Sequence, residues 1–471
     1  MDLAKMDALI GSWKPEIFEK LNGWIAINSI KGEPSGDDAP FGPEVRRMLD
    51  LFLRDAEDMG FVVDDVDGYA GAAEMGAGDK TMGILVHLDI VPAGDGWTQD
   101  PFTGTLREGK YYGRGAQDDK GPAIAALYAM RAVKEAGIPL KHKVRLIAGC
   151  DEETGMSDMA YYRKVRPPVD YGFSPDAEYP LINIEKGGLD LLLSKACGGE
   201  EGAQIPVYSL NAGTRPNIVP GTATAELGTG GMGFSSLEKA VQAIEKAHPG
   251  YDLKLTDLGN GRAQLLATGK QSHAAMPELG LNAAGMLLTA LKELNAGGGV
   301  GEAIRGLAKL LGTDYTGAGL GIAQADELSG PLTCNLGILR FDGRFLSAQL
   351  DIRYPLCADE ADMCGRAAMA LSPWQLALTR LSGHPPLHVP AESEVVRGLL
   401  QVYGELTGLP AYAMAIGGGT YARTMPNTVA FGICFPGDTD TCHMPDEYIE
   451  VDKFMLSIRI MAHAIVRLAG A

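Results

Sequence analysis

The chain has 471 residues, 46% of them hydrophobic and 21% charged. That length exceeds one ordinary core and predicts two or three domains, and the composition excludes a disordered chain. A formal net charge of −19 argues against a nucleic-acid partner, which needs a basic stripe to displace counterions. Solubility is the plainer reading of the acidic surface, and clustered carboxylates that attract metal cations are a second one. No basic-then-apolar leader opens the chain, and no apolar run approaches the ~20 residues of a membrane span, so no membrane partner is expected. The seven cysteines are scattered and form no C-x-x-C pair, which predicts reduced thiols in a cytoplasm.

The first stretch, 1–20, reads as the start of an amphipathic helix, and 15–30 and 43–59 carry helical periodicity. MGILVHL (82–88) reads as a buried strand, 120–138 as a helix closed by Gly137, KVRLIAG (143–149) as a strand, and 169–176 as a strand ending in an acid. Alternating β and α segments predict an α/β domain with a mostly parallel sheet. From NIEKGG (183–188) to 382 the segments shorten and become glycine-rich, which predicts hairpin strands around helices at 235–247 and 282–295. SGHPPLHVP (382–390) reads as a linker. A helix (391–407), a glycine cluster, a strand (428–433) and a closing helix (451–469) follow. The economical reading is one α/β domain, 1–184 and 383–471, interrupted by an α+β insert at 185–382.

Chemistry-bearing residues fall at the predicted strand ends. On a strand, His87 and Asp89 share a face while Leu88 turns away. An imidazole and a carboxylate there suit zinc, with the carboxylate as ligand or as the group that orients the ring; a polar strand end in water is the plainer alternative. Asp118 and Asp119 follow a glycine-rich turn and precede a helix, so one of them can be a cap and one a bridge between cations. Asp151, Glu152 and Glu153 would repel one another if buried unless a metal offset the cost. A metal there permits one carboxylate to ligate while its neighbour acts as general base; a solvated acidic turn is the alternative. Asp176 ends another strand, and His443 lies far downstream in CHMPDE. Ligands of α/β sheets gather beyond the carboxyl ends of strands, and it is this shared placement that favours a single site.

With GILVHLDIVPAGDGW, GRGAQDDKGP, DEETG, SPDAE, GKQSHAAMPELGLNAA and CHMPDE in view, the chain resembles metallopeptidase family 20, the aminoacylase, carboxypeptidase G and carnosinase group, over nearly its whole length. The resemblance implies a zinc-peptidase-like α/β catalytic domain with an inserted α+β lid. It implies two zinc ions per chain, with Mn²⁺ or Co²⁺ accepted by the same kind of site. His87, Asp118 and Asp176 match the ligands of one ion, and Glu153 and His443 those of the other, with Asp118 as the bridge. Asp89 matches the orienting acid and Glu152 the general base. A cis peptide after Asp118 is also implied. In the lid, Asn217, His273 and Arg353 match positions that reach the substrate: His273 for the oxyanion, Asn217 and Arg353 for a carboxylate. Without the resemblance, Arg353 would read as a strand surface residue. Gly417, Gly418, Gly419 and Thr420 match a loop on the substrate backbone, or are simply a flexible turn.

The implied activity is hydrolysis of dipeptides with a free amino terminus, which Asp176 favours over Glu at that position. An N-acyl amino acid amidohydrolase and a non-catalytic peptide- or metal-binding protein are the alternatives. Such members with a long lid act as monomers, so a monomer is expected here, with a homodimer as the alternative. Lid closure by hinges near 185 and 383 is implied as part of catalysis.

Overall fold

The computed structural model describes residues 2–198 and 203–471. The chain divides into two compact units: Met1–Ile184, Leu387–Met414 and Gly419–Ala471 form the first, Glu185–Pro386 and Ala415–Gly418 the second.

The first unit is built on a mixed sheet. Its strands run in the order Val62–Val66, Ala70–Met75, Lys143–Gly149, Thr81–His87, Tyr171–Ser174, Thr428–Ala430, Ile182–Glu185 and Leu387–His388. The four in the middle are parallel, and the others that pair with them are antiparallel. The apolar run at 82–88 is buried on both faces, as the central strand of a parallel sheet must be. Its residues alternate accordingly. Met82, Ile84, Val86 and Leu88 enter the larger core, and Leu85 enters a smaller one with Ile147, Tyr162 and Tyr421. The helix Lys120–Ala136 is buried along most of its length and packs in the larger core with the closing helix Val451–Ala469. Gly137 ends it in the left-handed conformation (φ +74°), where a side chain would be strained.

The second unit is one antiparallel sheet of eight strands in the order Asp252–Gly259, Arg262–Thr268, Thr222–Gly228, Val207–Ala212, Thr333–Phe341, Phe345–Tyr354, Gly187–Ala196 and Ala377–His384. Its helices Phe234–Ala247, Ala283–Glu293, Gly301–Leu310 and Glu360–Leu371 contribute Leu237, Leu287, Ile304 and Met363 to one core with the sheet.

Several elements differ from the sequence reading. The amino-terminal helix is two helices, Leu3–Ser12 and Lys14–Ile25, because Pro15 lacks an N–H for the preceding turn and instead starts a new one. The helices Ser157–Val165, Gly301–Leu310 and Glu360–Leu371 were not expected. The segment 382–390 is not a bare linker: the strand Ala377–His384 continues into it, and Leu387–His388 pairs in the sheet of the first unit. Residues 415–418, expected in the closing part of the catalytic domain, belong to the second unit, where the Lys186 N–H donates to the Ile416 carbonyl (2.9 Å). No helix among the described residues is long and apolar enough to cross a membrane.

Candidate metal centre

Register in the parallel sheet brings the acidic and imidazole groups of the first unit together. His87 lies opposite Gly149, so the strand carrying His87 and the turn that begins at Cys150 end at the same edge. Asp176 follows Ser174 at the end of the next strand. Asp118 precedes the helix Lys120–Ala136, and the Asp118–Asp119 peptide is cis.

At the centre is the Asp118 carboxylate. Its Oδ1 is 2.8 Å from His87 Nε2 and its Oδ2 is 3.0 Å from His443 Nε2. Asp176 Oδ2 lies 3.6 Å from His87 Nε2, and Glu153 Oε2 lies 3.0 Å from His443 Nε2. The groups therefore sort into two sets that share Asp118: His87 with Asp176, and His443 with Glu153. Potential ligand atoms of His87, Asp118 and Glu153 all lie within 4.8 Å of one another.

Charge in this cluster is unbalanced. Burial alone would raise the Asp118 carboxyl, but hydrogen bonds with His443 and His87 hold it well below the ordinary carboxylate range. The same hydrogen bonds to Asp118 and Glu153 push His443 up to about 11. Burial raises Glu152 well above its usual value; His87 opposes the shift, and the charges of Asp176, Glu153 and Asp118 add to it. Burial and the charge of Asp118 raise Glu153 and Asp176 as well, a cost that a bound cation would offset. Glu153 Oε1 is buried without a hydrogen-bond partner. Oxygen and nitrogen donors in this number, with an orphaned carboxylate oxygen among them, fit divalent cations.

The surrounding chain holds these groups by their backbone. The His87 Nδ1 partner is the Asp89 main-chain oxygen at 2.9 Å, while the Asp89 carboxylate is 3.4 Å away. That carboxylate accepts the N–H groups of Glu152 (3.1 Å) and Glu153 (3.2 Å), so Asp89 ties the acidic turn to the histidine. Asp119 accepts the His87 N–H at 2.8 Å. Asp151 turns away from the cluster to Lys31 Nζ (2.6 Å) and the hydroxyls of Thr154 and Ser157. His443 sits at φ +63°, a conformation costly for a side-chain-bearing residue, and stays half exposed.

Glu447, inside CHMPDE but given no role from sequence, is fully buried. Its Oε1 accepts the N–H groups of Gln117 (2.8 Å) and Asp118 (3.1 Å), and its Oε2 those of Gly115 (3.2 Å) and Arg114 Nη1 (2.5 Å). It shapes the turn that presents Asp118. Gly115 in that turn stands at φ +86°, where a Cβ would also crowd Lys120 and Ile90. The only sequence signal for Glu447 was an acid four residues beyond His443.

In the second unit, Asn217 and His273 lie on adjoining segments: Ile218 bridges His273, and the Ala274 N–H donates to the Asn217 carbonyl (2.9 Å). His273 is exposed. Arg353 lies opposite Thr333, whose hydroxyl donates to the Ala274 carbonyl (3.2 Å). A Cβ on Gly417 would strike Ala275, which places the start of the glycine loop, Gly417 and Gly418, beside the segment that carries His273. Arg353 is not a free surface residue: its Nε and Nη2 each donate to Asp351 at 2.7 Å. Gly419 and Thr420 belong to the first unit, where the Thr420 hydroxyl accepts the Ala422 N–H (3.0 Å) and caps a short helical turn.

An α/β unit with paired imidazoles and a shared carboxylate at its strand ends, accompanied by a separate α+β unit, defines the metallopeptidase class. The chain matches the family described as Peptidase family M20/M25/M40 over residues 83–467, and it belongs to that family. It is 36% identical over 459 residues to the putative dipeptidase YtjP of Bacillus subtilis, covering 97% of this chain and 98% of that one. It is 34% identical over 459 residues to the Beta-Ala-Xaa dipeptidase of Lactobacillus delbrueckii, covering 97% and 96%. Human carnosine dipeptidase 1 shares the fold with a TM-score of 0.62 at 16% identity, covering 99% of this chain and 98% of that one. The protein is a hydrolase of this metal-dependent family.

Proposed function

We propose that this chain is a dipeptidase that hydrolyses the peptide bond of dipeptides with a free amino terminus, using two zinc ions. The observation that carries the reading is Asp118, whose two oxygens face two imidazoles from opposite ends of the chain. Relatives named dipeptidases, matched along almost their full length, support the substrate class.

His87, Asp118 and Asp176 would hold one ion, and Asp118, Glu153 and His443 the other. When bound, the ions supply Lewis acidity and lower the pKa of the attacking water. Glu152 takes a proton from that water and returns it to the leaving amine. Burial raises its affinity for protons, which suits the first half of that exchange. Asp89 keeps Glu152 and Glu153 in place through their amides. His273 donates to the carbonyl oxygen as it gains charge. Arg353, held by Asp351, and Asn217 bind the substrate carboxylate.

Glu152→Ala is expected to lower kcat by roughly 10³-fold while metal content by elemental analysis stays at the wild-type level. Wild-type activity in that variant removes the base assignment. A panel of dipeptides set against N-acyl amino acids tests the substrate class. Cleavage of the acyl compounds alone overturns the dipeptidase reading.

A further inference from the structure

Four consecutive main-chain N–H groups in the acidic turn end on two buried carboxylates. Asp89 takes those of Glu152 and Glu153. The two before them, Cys150 (2.6 Å) and Asp151 (2.9 Å), both donate to Asp158 Oδ2. Asp158 is completely buried in the first turn of the helix Ser157–Val165, and its carboxylate reaches back to the end of the strand Lys143–Gly149. The Tyr421 hydroxyl donates to the same oxygen, and the Tyr421 ring stands edge-on to the His87 ring with centroids 6.2 Å apart. Gly149 makes room for this arrangement: a Cβ there would land on both the Tyr421 hydroxyl and the Asp158 carboxylate.

A carboxylate in a first helical turn also favours the helix dipole, and that alone could account for an acid at position 158. It does not account for the direction of the side chain, for a tyrosine brought from over 250 positions away to the same oxygen, or for a glycine where their space is needed. Bonds from successive amides to one carboxyl hold the backbone path of the turn.

We propose that Asp158, locked by Tyr421, is a positioning residue that sets the direction of Glu152 and Glu153. The inference rests on the reading of Glu152 as base and Glu153 as metal ligand. Asp158 touches neither substrate nor metal and acts through the turn alone.

The test compares Asp158→Asn and Tyr421→Phe with the Glu152→Ala control in the full-length, metal-loaded enzyme. Asp158→Asn keeps the shape but can turn an amide donor towards the donors of the turn. It should lower kcat about 10- to 100-fold with KM within about threefold, and weaken zinc affinity about tenfold in competition with a chromophoric chelator. Tyr421→Phe removes one donor and should lower kcat about three- to tenfold in the same pattern. The proposal fails if the folded variants keep kcat within about twofold of wild type and bind zinc unchanged, or if they lose only thermal stability. Should Asp158→Asn not fold, Tyr421→Phe decides by the same two measurements. Turnover by Glu152→Ala would sink the functional reading, and zinc affinity would still judge whether Asp158 places Glu153.

Discussion

The two units treat their charged residues in opposite ways. The first buries carboxylates around two imidazoles and frames them with others that accept backbone N–H groups: Asp89 from the acidic turn, Asp119 from His87 and Glu447 from the turn before Asp118. The second leaves His273 exposed and keeps Arg353 in a bidentate pair with one carboxylate. Buried like charges are tolerated only where other groups offset their desolvation, so the first unit needs a rigid frame and a cation. Residues proposed to meet a small substrate need a fixed orientation and access, and for Arg353 one carboxylate partner supplies the orientation.

Removing metal should separate the units most sharply. Dialysis against a chelator is expected to abolish turnover, and zinc or manganese should restore it. Metal at 100 times its Kd adds about 2.7 kcal/mol to whatever unit binds it. Calorimetry should therefore show one transition fall and another, from the second unit, hold still. A fall in both would break the contrast.

After the loss of turnover on metal removal, the largest effect on stability alone is expected from Glu447→Gln. It leaves the buried Arg114 guanidinium without its charged partner, and breaking such a pair costs about 3–5 kcal/mol. Urea unfolding should show the loss. A change below 1 kcal/mol would mean that the frame around Asp118 is held by other contacts.

Arg353→Ala should act on recognition instead. KM for dipeptides is expected to rise about tenfold or more, with metal content unchanged. An unchanged KM would show that the guanidinium serves only Asp351.

The smallest effect concerns Asp326 in the second unit. Its carboxyl is lowered to about 2: burial opposes the shift, and hydrogen bonds from Ser329, Cys357 and Leu328 produce it. A depressed carboxyl adds stability that is present above its unfolded value near 4 and is lost as pH falls through about 2. Asp326→Asn should cost about 1 kcal/mol at neutral pH, discounted for solvent screening, and flatten the acid limb between those values. A variant with the wild-type acid limb would show that this carboxylate does not govern it.

Much of the first unit was legible because its signals are local. Period-2 burial in 82–88 separates Leu88 from His87, and acids at strand ends mark the edge where ligands collect. Legibility falls in the second unit. The helix Gly301–Leu310 follows a run of glycines and contains two more, Gly301 and Gly306, residues of poor helix propensity, and it forms because Ile304 and Leu307 complete a core. Glu447 and Asp158 were silent for a different reason. Each works on main-chain amides, which carry no side-chain signature, and the Glu447 amides lie some 330 residues earlier in the chain.

By itself the sequence determined the alternating α/β order, the interruption beginning near residue 185, and the set of acids and imidazoles at strand ends, because periodicity and turn chemistry act over a few residues. Tertiary structure decided which of those acids are neighbours. It set Asp118 between His87 and His443, turned Asp151 away to Lys31, and occupied one edge of Arg353 with Asp351. Those outcomes depend on sheet register and on where buried N–H groups find acceptors, which only the packed chain can settle.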